Sequence, residues 1–282
     1  MKIVCIIFSK DRAMQLHLLL FSLFFYCTDS KDLIIKILYK GSSKKFICGY
    51  NLCKKYFSNK ENIWWIKEKA FKKDLLLLLE KNTLSLFLVD DTLFYRRFDL
   101  QSTASCLLKN NKTIGFSYRL GSNTDFCYPH NKAQKIPDFM NVNKNIYKYH
   151  WKNQEYDFGY PLEVSSSLYR TNNLIYFVKY LSFYNPNTFE QKLSFLKKIF
   201  SFFKPELLCF KKSVAFSNPI NKTQTIIQNR AGNKLKNNIN KLNAKFLKGY
   251  IFCMPNNIHK NIDAAHVEVD LKCKKKCKTL LS

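Results

Sequence analysis

Short apolar segments that alternate with longer helix-like segments constrain the fold of this chain more than any other feature of its sequence. The apolar segments are rich in β-branched residues and predict strands at residues 2–8, 33–39, 62–66 and 84–89. The segments between them predict helices at residues 13–26, 44–57 and 74–81. Strands and helices that alternate at this spacing form βαβ units, so we expect an α/β fold on a mostly parallel sheet.

The second half of the chain is less regular and richer in Tyr, Asn and Pro. It predicts strands at residues 115–120, 162–169 and 264–271, and helices at residues 188–203 and 233–247. The change of character near residue 115 divides one domain into two halves, residues 1–115 and 116–271. A basic tail, residues 272–282, follows, and we expect it to be mobile.

The chain is strongly basic, with 47 Lys and Arg against 20 Asp and Glu, a formal net charge of +27. Such a field attracts polyanions, which include nucleic acids, acidic membrane surfaces and phosphorylated substrates. The alternative is a Lys-rich and Asn-rich composition whose lysines are mostly solvated. Because the basic residues are spread out rather than clustered with stacking aromatic residues, we expect no nucleic-acid partner.

The cysteines and the N-terminus indicate the compartment. The ten cysteines form no CxxC pair, so we interpret them as reduced thiols. The N-terminus has no signal-peptide pattern, and the most apolar stretch is too short to span a bilayer. We therefore expect a cytoplasmic protein, with peripheral contact at the inner face of the membrane as a further expectation from its charge and its basic tail.

Two adjacent acids, Asp90 and Asp91, directly follow the fourth predicted strand. Open α/β sheets bind ligands at this edge of the sheet. Adjacent carboxylates repel each other and lose hydration on burial unless a cation lies between them. Hard oxygen ligands suit Mg²⁺ or Mn²⁺, which also hold diphosphates, so these acids predict a metal site. The alternative is that they cap a following helix.

The turn after the first predicted strand contains Phe8, Ser9, Lys10 and Arg12. Backbone amides at the start of the following helix favour anions, and Lys10 and Arg12 add positive charge beside them. This turn therefore predicts a contact with a nucleotide. The alternative is that Ser9 or Asp11 only caps the helix.

Isolated residues further along the chain supply the remaining candidates. His266 alternates with Glu268 on the last predicted strand and is a candidate metal ligand, although a single His is more commonly an ordinary hydrogen-bonded side chain. Asn187 and Glu190 fit a capping box, and Glu190 at such a helix start is also a candidate general base. The rival candidates for the base are Glu163 and Asp157.

Taken together, these motifs resemble bacterial glycosyltransferases of the GT-A fold, of the family-two-like kind, which use nucleotide-sugar donors. The segments that carry the resemblance are IVCIIFSKDRAMQLHLLLFSL, FLVDDTLFYR, GFSYRLGSN, YDFGYPLEVSSSLYR, NPNTFEQKL, LNAKFLKGY and AAHVEVDL. The resemblance implies a Rossmann-like three-layer sandwich in which residues 1–115 bind the nucleotide-sugar and residues 116–271 bind the acceptor. It also implies a hexosyltransferase-like enzyme that moves a sugar to a glycan or lipid-linked acceptor in surface polysaccharide synthesis.

The same resemblance implies a role for each candidate. Asp91 and His266 would hold Mn²⁺ or Mg²⁺, and Glu190, with Glu163 as its rival, would be the catalytic base. The residues that would contact the donor are Phe8, Ser9, Lys10, Arg12 and Asp90, with Arg119 as a further positive charge.

The sequence departs from the family pattern at three places. The acids read Val-Asp-Asp rather than DxD, serines occupy residues 165–167 where Asp-Gly is expected, and Glu190 lacks an adjacent Asp. Two alternatives therefore stay open: an inactive glycosyltransferase-like scaffold and a basic, non-catalytic nucleic-acid-binding protein.

Overall fold

The computed structural model describes residues 2–81, 83–221, 238–255, 257–260 and 262–276. The strands are β1 (Ile3–Lys10), β2 (Ile34–Lys40), β3 (Ile63–Lys67), β4 (Leu84–Val89), β5 (Thr92–Phe94), β6 (Thr113–Ser117), β7 (Phe126–Cys127), β8 (Lys132–Ala133), β9 (Met140–Asn141), β10 (Ile146–His150), β11 (Ser166–Arg170), β12 (Glu206–Phe210), β13 (Ala215–Ser217), β14 (Tyr250–Phe252) and β15 (Cys273–Lys275). The helices are α1 (Ala13–Tyr26), α2 (Lys44–Tyr56), α3 (Phe71–Leu78), α4 (Leu100–Lys109), α5 (Thr171–Tyr180), α6 (Pro186–Phe195), α7 (Lys197–Phe203) and α8 (Ile239–Leu247), with short 3₁₀ helices at Ser30–Asp32 and Ile258–Lys260.

One 9-stranded sheet organises the fold, in the order β3-β2-β1-β4-β11-β6-β12-β10-β9. The strands β3, β2, β1 and β4 are parallel to their neighbours, and so are β6 and β12. Strand β11 runs antiparallel between β4 and β6, and β10 runs antiparallel between β12 and β9. The strands other than β10 and β11 thus point the same way, which confirms the prediction of a mostly parallel sheet.

Helices cover both faces of the sheet, and the buried side chains of β1 show why. Ile3, Cys5 and Ile7 pack into one apolar core, and the residues that alternate with them, Val4, Ile6 and Phe8, pack into the other. Helices α1, α2, α4 and α8 contribute to the first core, and α3, α5, α6 and α7 to the second. A continuous apolar run is what a strand buried on both faces requires, and the predicted three-layer α/β sandwich is confirmed.

The predicted strand at residues 264–271 is wrong. Within this segment the structure has only an isolated bridge between His266 and Ser217. Further along, the backbone amide of Val269 bonds to the side chain of Asn218 rather than to a neighbouring strand. Residues 264–271 alternate apolar and polar side chains, but among the described residues no strand lies alongside them to form a ladder of backbone hydrogen bonds.

The predicted helix at residues 188–203 is two helices, α6 and α7, and its predicted capping box is shifted. The cap of α6 is Asn185, whose side chain accepts from the amide of Thr188, so Asn187 and Glu190 do not form the box. Pro186 occupies the first turn of α6, where its missing amide hydrogen costs nothing. This offset frees the Glu190 side chain from a capping role.

The C-terminal predictions are partly borne out and partly untested. Helix α8 covers the end of the helix predicted at residues 233–247, and residues 233–237 lie outside the described ranges. Strand β15 pairs with β14, so the start of the predicted mobile tail is ordered. Residues 277–282 lie outside the described ranges. Across the described residues, no helix has both the length and the apolar composition needed to cross a bilayer.

Candidate active site

A cavity of about 770 Å³ lies where β1 and β4 end, a volume typical of small-molecule sites. All of the predicted site residues except Glu163 line it. They are Phe8, Ser9, Lys10, Arg12, Asp90, Asp91, Arg119, Glu190 and His266. The topology explains this convergence, since parallel strands present their carboxyl ends at one edge of the sheet.

The turn between β1 and α1 directs Arg12 into the cavity. Asp11 has a left-handed backbone (φ 61°), and its carboxylate accepts from the amide of Ser42 at 2.7 Å. The Ser9 hydroxyl bonds to the hydroxyl of Tyr50 at 2.7 Å. The helix cap is Arg12 itself, which makes no side-chain capping bond. The alternative that Ser9 or Asp11 caps this helix is therefore wrong.

Arg12 holds the two acids that follow β4. Its Nη1 donates to Asp90 Oδ1 at 3.0 Å and to Asp91 Oδ2 at 3.1 Å, and all three side chains are largely buried. Its Nε donates to Asn221 Oδ1 at 2.9 Å, and the other terminal nitrogen donates to the Asn221 carbonyl. The cation that the sequence requires between these carboxylates is thus present as a guanidinium. The chain continues into β5, so the alternative that the acids cap a helix is also wrong.

The pKa values of Asp90 and Arg12 depend on burial and on the charges within this cluster. Burial raises the pKa of Asp90 to about 6, Arg12 opposes this rise, and Asp91 adds to it. Burial is the largest influence on the Arg12 pKa and lowers it, but Asp90 and Asp91 together outweigh burial and raise it. Arg12 therefore keeps its charge beside the two carboxylates.

A second buried arginine, Arg119, also lines the cavity and lies between His266 and Glu163. The distance from Arg119 Nε to Glu163 Oε1 is 3.7 Å. The carboxylate of Glu163 also accepts from the amides of Ser165 and Ser166 and from the hydroxyls of Ser165 and Ser167. Glu163 is thus enclosed by the serines and does not line the cavity, which indicates a structural role rather than the predicted catalytic one.

Glu190 has the opposite environment. It lines the cavity, and its Oε2 accepts from the amide of Val164 at 2.8 Å. Burial first, and then the nearby charge of Glu163, raise the Glu190 pKa to about 7, while Arg119 and a bond from Tyr160 lower it. A carboxylate with a pKa near neutrality is suited to accept a proton at physiological pH.

His266 lines the cavity as a neutral imidazole. Burial first, and then Arg119, lower its pKa to about 3. Arg119 Nη1 lies 3.3 Å from His266 Nε2, and since a guanidinium only donates, Nε2 accepts and the proton lies on Nδ1. Among the residues that the structure describes, none forms a hydrogen bond with Nδ1. In this arrangement His266 offers the cavity an N–H donor rather than the lone pair that its predicted role as a metal ligand needs.

Asp91 fits a metal better than His266 does. Its Oδ2 accepts from Arg12, and the hydrogen bonds found within the described ranges include none to its Oδ1. No group of three or more His, Cys, Asp or Glu side chains in those ranges is arranged to hold a metal ion. Mg²⁺ is commonly held by one or two carboxylates and the phosphates of a substrate, and Asp91 can supply such a carboxylate.

Within the described residues, several buried polar atoms that belong to cavity-lining residues lack a hydrogen-bond partner. They are Arg119 Nε, Asp157 Oδ2, Ser217 Oγ, Asn221 Nδ2 and His266 Nδ1. Buried polar groups are nearly always paired, so unpaired groups that converge on one cavity indicate a polar ligand. Sequence reasoning missed Ser217 and Asn221, for which no local pattern exists. Tyr160, which also lines the cavity, follows Asp157 in YDFGYP and could have been found with it.

Comparison with known proteins supplies independent information. No protein family model matches the sequence. The chain is 32% identical over 214 residues to a bifunctional glycosyltransferase, pgtA, of Dictyostelium discoideum, a match that covers 67% of this chain and 27% of that protein. The predicted resemblance to glycosyltransferases is thus confirmed, but a bacterial origin is not shown. The chain spans about a quarter of the length of this relative.

Solved structures of glycosyltransferases are also similar. Residues 1–349 of TarS from S. aureus, in complex with UDP-GlcNAc, match with a TM-score of 0.49 and 14% identity, over 80% of this chain and 60% of that chain. LgtC, in complex with donor and acceptor sugar analogues, matches with a TM-score of 0.38 and 9% identity, over 91% of this chain and 99% of that chain.

Proposed function

We propose that this chain is a glycosyltransferase that transfers a sugar from a nucleotide-diphosphate donor to a hydroxyl group of a glycan or lipid-linked acceptor. One observation carries the proposal. A single cavity is lined by the cluster of Arg12, Asp90 and Asp91 and by Glu190, a carboxyl group with a pKa of about 7. The match to a glycosyltransferase over 214 residues supports the same activity.

The donor is proposed to bind at the end formed by β1 and β4. Lys10, Arg12 and Arg119 supply positive charge for the diphosphate, and the unpaired Nδ1–H of His266 supplies a further donor. A divalent cation, Mn²⁺ or Mg²⁺, held by Asp91 together with the diphosphate, would neutralise the leaving group. Residues 1–115 would then form the donor half of the domain and residues 116–271 the acceptor half.

Glu190 is the proposed base. Its carboxylate takes the proton of the acceptor hydroxyl as the acceptor oxygen bonds to the anomeric carbon of the sugar. The bond from that carbon to the diphosphate breaks at the same time, and the nucleoside diphosphate leaves with the electron pair. Val164 and Tyr160 hold the carboxylate in place, and burial keeps its pKa close to the pH at which such a base is most effective.

The acceptor and the location are extensions of the same proposal. An acceptor in surface polysaccharide synthesis is a glycan or a lipid-linked sugar, and a lipid-linked one would bring the chain to a membrane from the cytoplasmic side. Asp157 and Tyr160 line the cavity and are proposed to contact the acceptor. The unpaired Oδ2 of Asp157 is an acceptor for a sugar hydroxyl.

A donor-hydrolysis and transfer assay tests the proposal. The chain is incubated with UDP-, GDP- and CMP-sugars, with and without Mn²⁺, and release of the nucleotide is measured. We expect one donor class to be turned over, and Asp91→Ala to abolish turnover without unfolding the protein. Wild-type turnover in Asp91→Ala would exclude the metal role of that residue.

Two results would favour the remaining alternatives. Binding of a nucleotide-sugar without any turnover on glycan or lipid-linked acceptors would indicate an inactive scaffold. Micromolar affinity for RNA that falls steeply with salt, without nucleotide-sugar binding, would indicate a nucleic-acid-binding protein.

A further inference from the structure

The outer surface of α5, α6 and α7 exposes an unusual amount of apolar area. Seven of the fifteen large apolar side chains that are exposed in the described residues lie on these helices or in the loop between α5 and α6, within about a tenth of the chain. They are Tyr176, Tyr180, Tyr184, Phe195, Ile199, Phe202 and Phe203. Exposed patches of this kind mark interaction surfaces.

These side chains share one side of the molecule. Helices α5, α6 and α7 bury their other faces in the same apolar core, which lies against the sheet. Phe177 of α5 contacts Phe200 of α7, with ring centroids 5.4 Å apart, so the two helices are neighbours. Residues opposite the buried faces of helices in one layer all point away from the sheet. We call this outward surface, with its lysines, the aromatic–lysine surface.

The charge of the aromatic–lysine surface is almost entirely positive. Residues 171–204 include Lys179, Lys192, Lys197, Lys198 and Lys204. The one acid in this segment, Glu190, lines the cavity and is only partly exposed. Two lysines lie over exposed rings: Lys192 over Phe195 at 5.6 Å, and Lys152 over Phe202 at 5.2 Å. The surface is therefore complementary to a negatively charged partner.

The combination favours a lipid bilayer over a protein. Lysine is depleted in the cores of protein–protein interfaces, where it would have to lose its hydration. At a membrane surface, aromatic rings enter the boundary between headgroups and acyl chains while lysines stay with the anionic headgroups. The exposure of Tyr180 and Phe203, 73% in each case, leaves their rings free to insert.

The position of this surface beside the cavity is also informative. Tyr184 and the first turn of α6 line the cavity, and Tyr184 itself is 69% exposed. The aromatic–lysine surface thus continues directly to the cavity mouth. A molecule anchored in a bilayer could reach the cavity from this side, a point that rests on the proposed function.

We propose that the aromatic–lysine surface docks the chain onto an anionic lipid bilayer, with the rings of α5 and α7 inserted at the interface. The orientation places the mouth of the cavity beside the membrane, where the headgroup of a lipid-linked acceptor is available.

Sedimentation with lipid vesicles tests the proposal on the full chain. The vesicles consist of phosphatidylcholine alone or of phosphatidylcholine mixed with phosphatidylglycerol. The first variant, Phe202→Ser/Phe203→Ser, removes two exposed rings, and the second, Lys179→Glu/Lys198→Glu, reverses two exposed charges. We expect each to lower the partition onto anionic vesicles by about tenfold or more.

Matched controls separate this surface from the general positive charge. Phe21→Ser/Phe25→Ser removes two exposed rings of α1, on the other face of the sheet, and Lys44→Glu/Lys45→Glu reverses two exposed charges at the start of α2. We expect both controls to bind vesicles within about twofold of the wild type.

The outcomes are distinguishable. Equal losses in surface and control variants would show non-specific attraction and overturn the proposal. A change in oligomeric state of Phe202→Ser/Phe203→Ser without a change in vesicle binding would show that a second copy covers this surface, which would also overturn it. Because partition is measured without turnover, failure here leaves the glycosyltransferase proposal standing.

Discussion

The cavity contains two buried arginines beside carboxylates, and the two clusters differ in how their charges are paired. Arg12 donates to both Asp90 and Asp91, so each of these carboxylates has a direct partner. In the second cluster the ion pair of Arg119 is with Glu163, and Glu190 has a pKa of about 7. The first cluster thus holds its carboxylates by direct hydrogen bonds to a cation, and the second contains a group that exchanges protons near neutral pH.

The largest expected effect is the loss of activity in Glu190→Gln. The amide keeps the shape and can still accept from Val164, but it cannot take a proton. We expect kcat to fall by about a thousandfold while donor affinity is unchanged. Steady-state kinetics and calorimetric donor titration measure the two quantities. Turnover close to wild type would remove Glu190 as the base.

The second prediction concerns the stability of the Arg12 cluster and uses Arg12→Met. This change leaves Asp90 and Asp91 buried without a counter-charge, and we expect the free energy of unfolding to fall by about 3–5 kcal/mol. Urea denaturation measures it. Combining Arg12→Met with Asp90→Asn should recover part of the loss, and no recovery would show that the cost does not come from unpaired charge.

Glu163→Gln tests whether this residue is structural. The amide nitrogen would face the donors of residues 165–167, and Arg119 would lose its partner, so we expect a loss of about 2–3 kcal/mol in the free energy of unfolding. Urea denaturation of this variant beside Glu190→Gln measures the contrast. A Glu163→Gln variant of full stability and no activity would restore Glu163 as a catalytic candidate.

The smallest expected effect is the pH dependence of kcat/KM, which tests the proton-exchanging role of Glu190. The base must be ionised, so kcat/KM should rise about tenfold per pH unit below the pKa of Glu190, about 7, and level off above it. A profile already flat at pH 5 would contradict this assignment.

The raised pKa of Glu190 also predicts how the stability of the protein changes with pH. A folded-state pKa raised from 4.5 to about 7 means that the stability contributed by protonated Glu190 is complete below pH 4.5 and is lost as the pH rises through 7. Glu190→Gln should therefore have the higher melting temperature of the two proteins at pH 8, and a similar one at pH 4. Differential scanning calorimetry at both values checks this. Equal melting temperatures at pH 8 would show that the carboxylate is not desolvated.

The sequence predicts a residue's position and role where these depend on its neighbours along the chain. The continuous apolar runs of β1 and β4 predicted central strands, and Asp90 and Asp91 at the end of β4 predicted where the site would lie. Their ion pair with Arg12 could not be predicted, because Arg12 reaches the acids, and Asn221 reaches Arg12, only through the tertiary fold.

The roles of Glu163 and Glu190 likewise could not be separated from sequence. What distinguishes them is which carboxylate the serines of residues 165–167 enclose, and that follows from the path of β11 between β4 and β6. The failed strand at residues 264–271 has the same origin, since alternation indicates a strand only where a partner strand lies alongside.

The most direct test of the account is a calorimetric titration of Mn²⁺ in the presence of the nucleoside diphosphate of the active donor, comparing wild type, Asp91→Asn and His266→Gln. The account predicts nucleotide-dependent Mn²⁺ binding in the wild type, a loss of about tenfold or more in Asp91→Asn, and near-wild-type Mn²⁺ affinity in His266→Gln. Mn²⁺ and nucleotide binding that is unchanged in Asp91→Asn would contradict it.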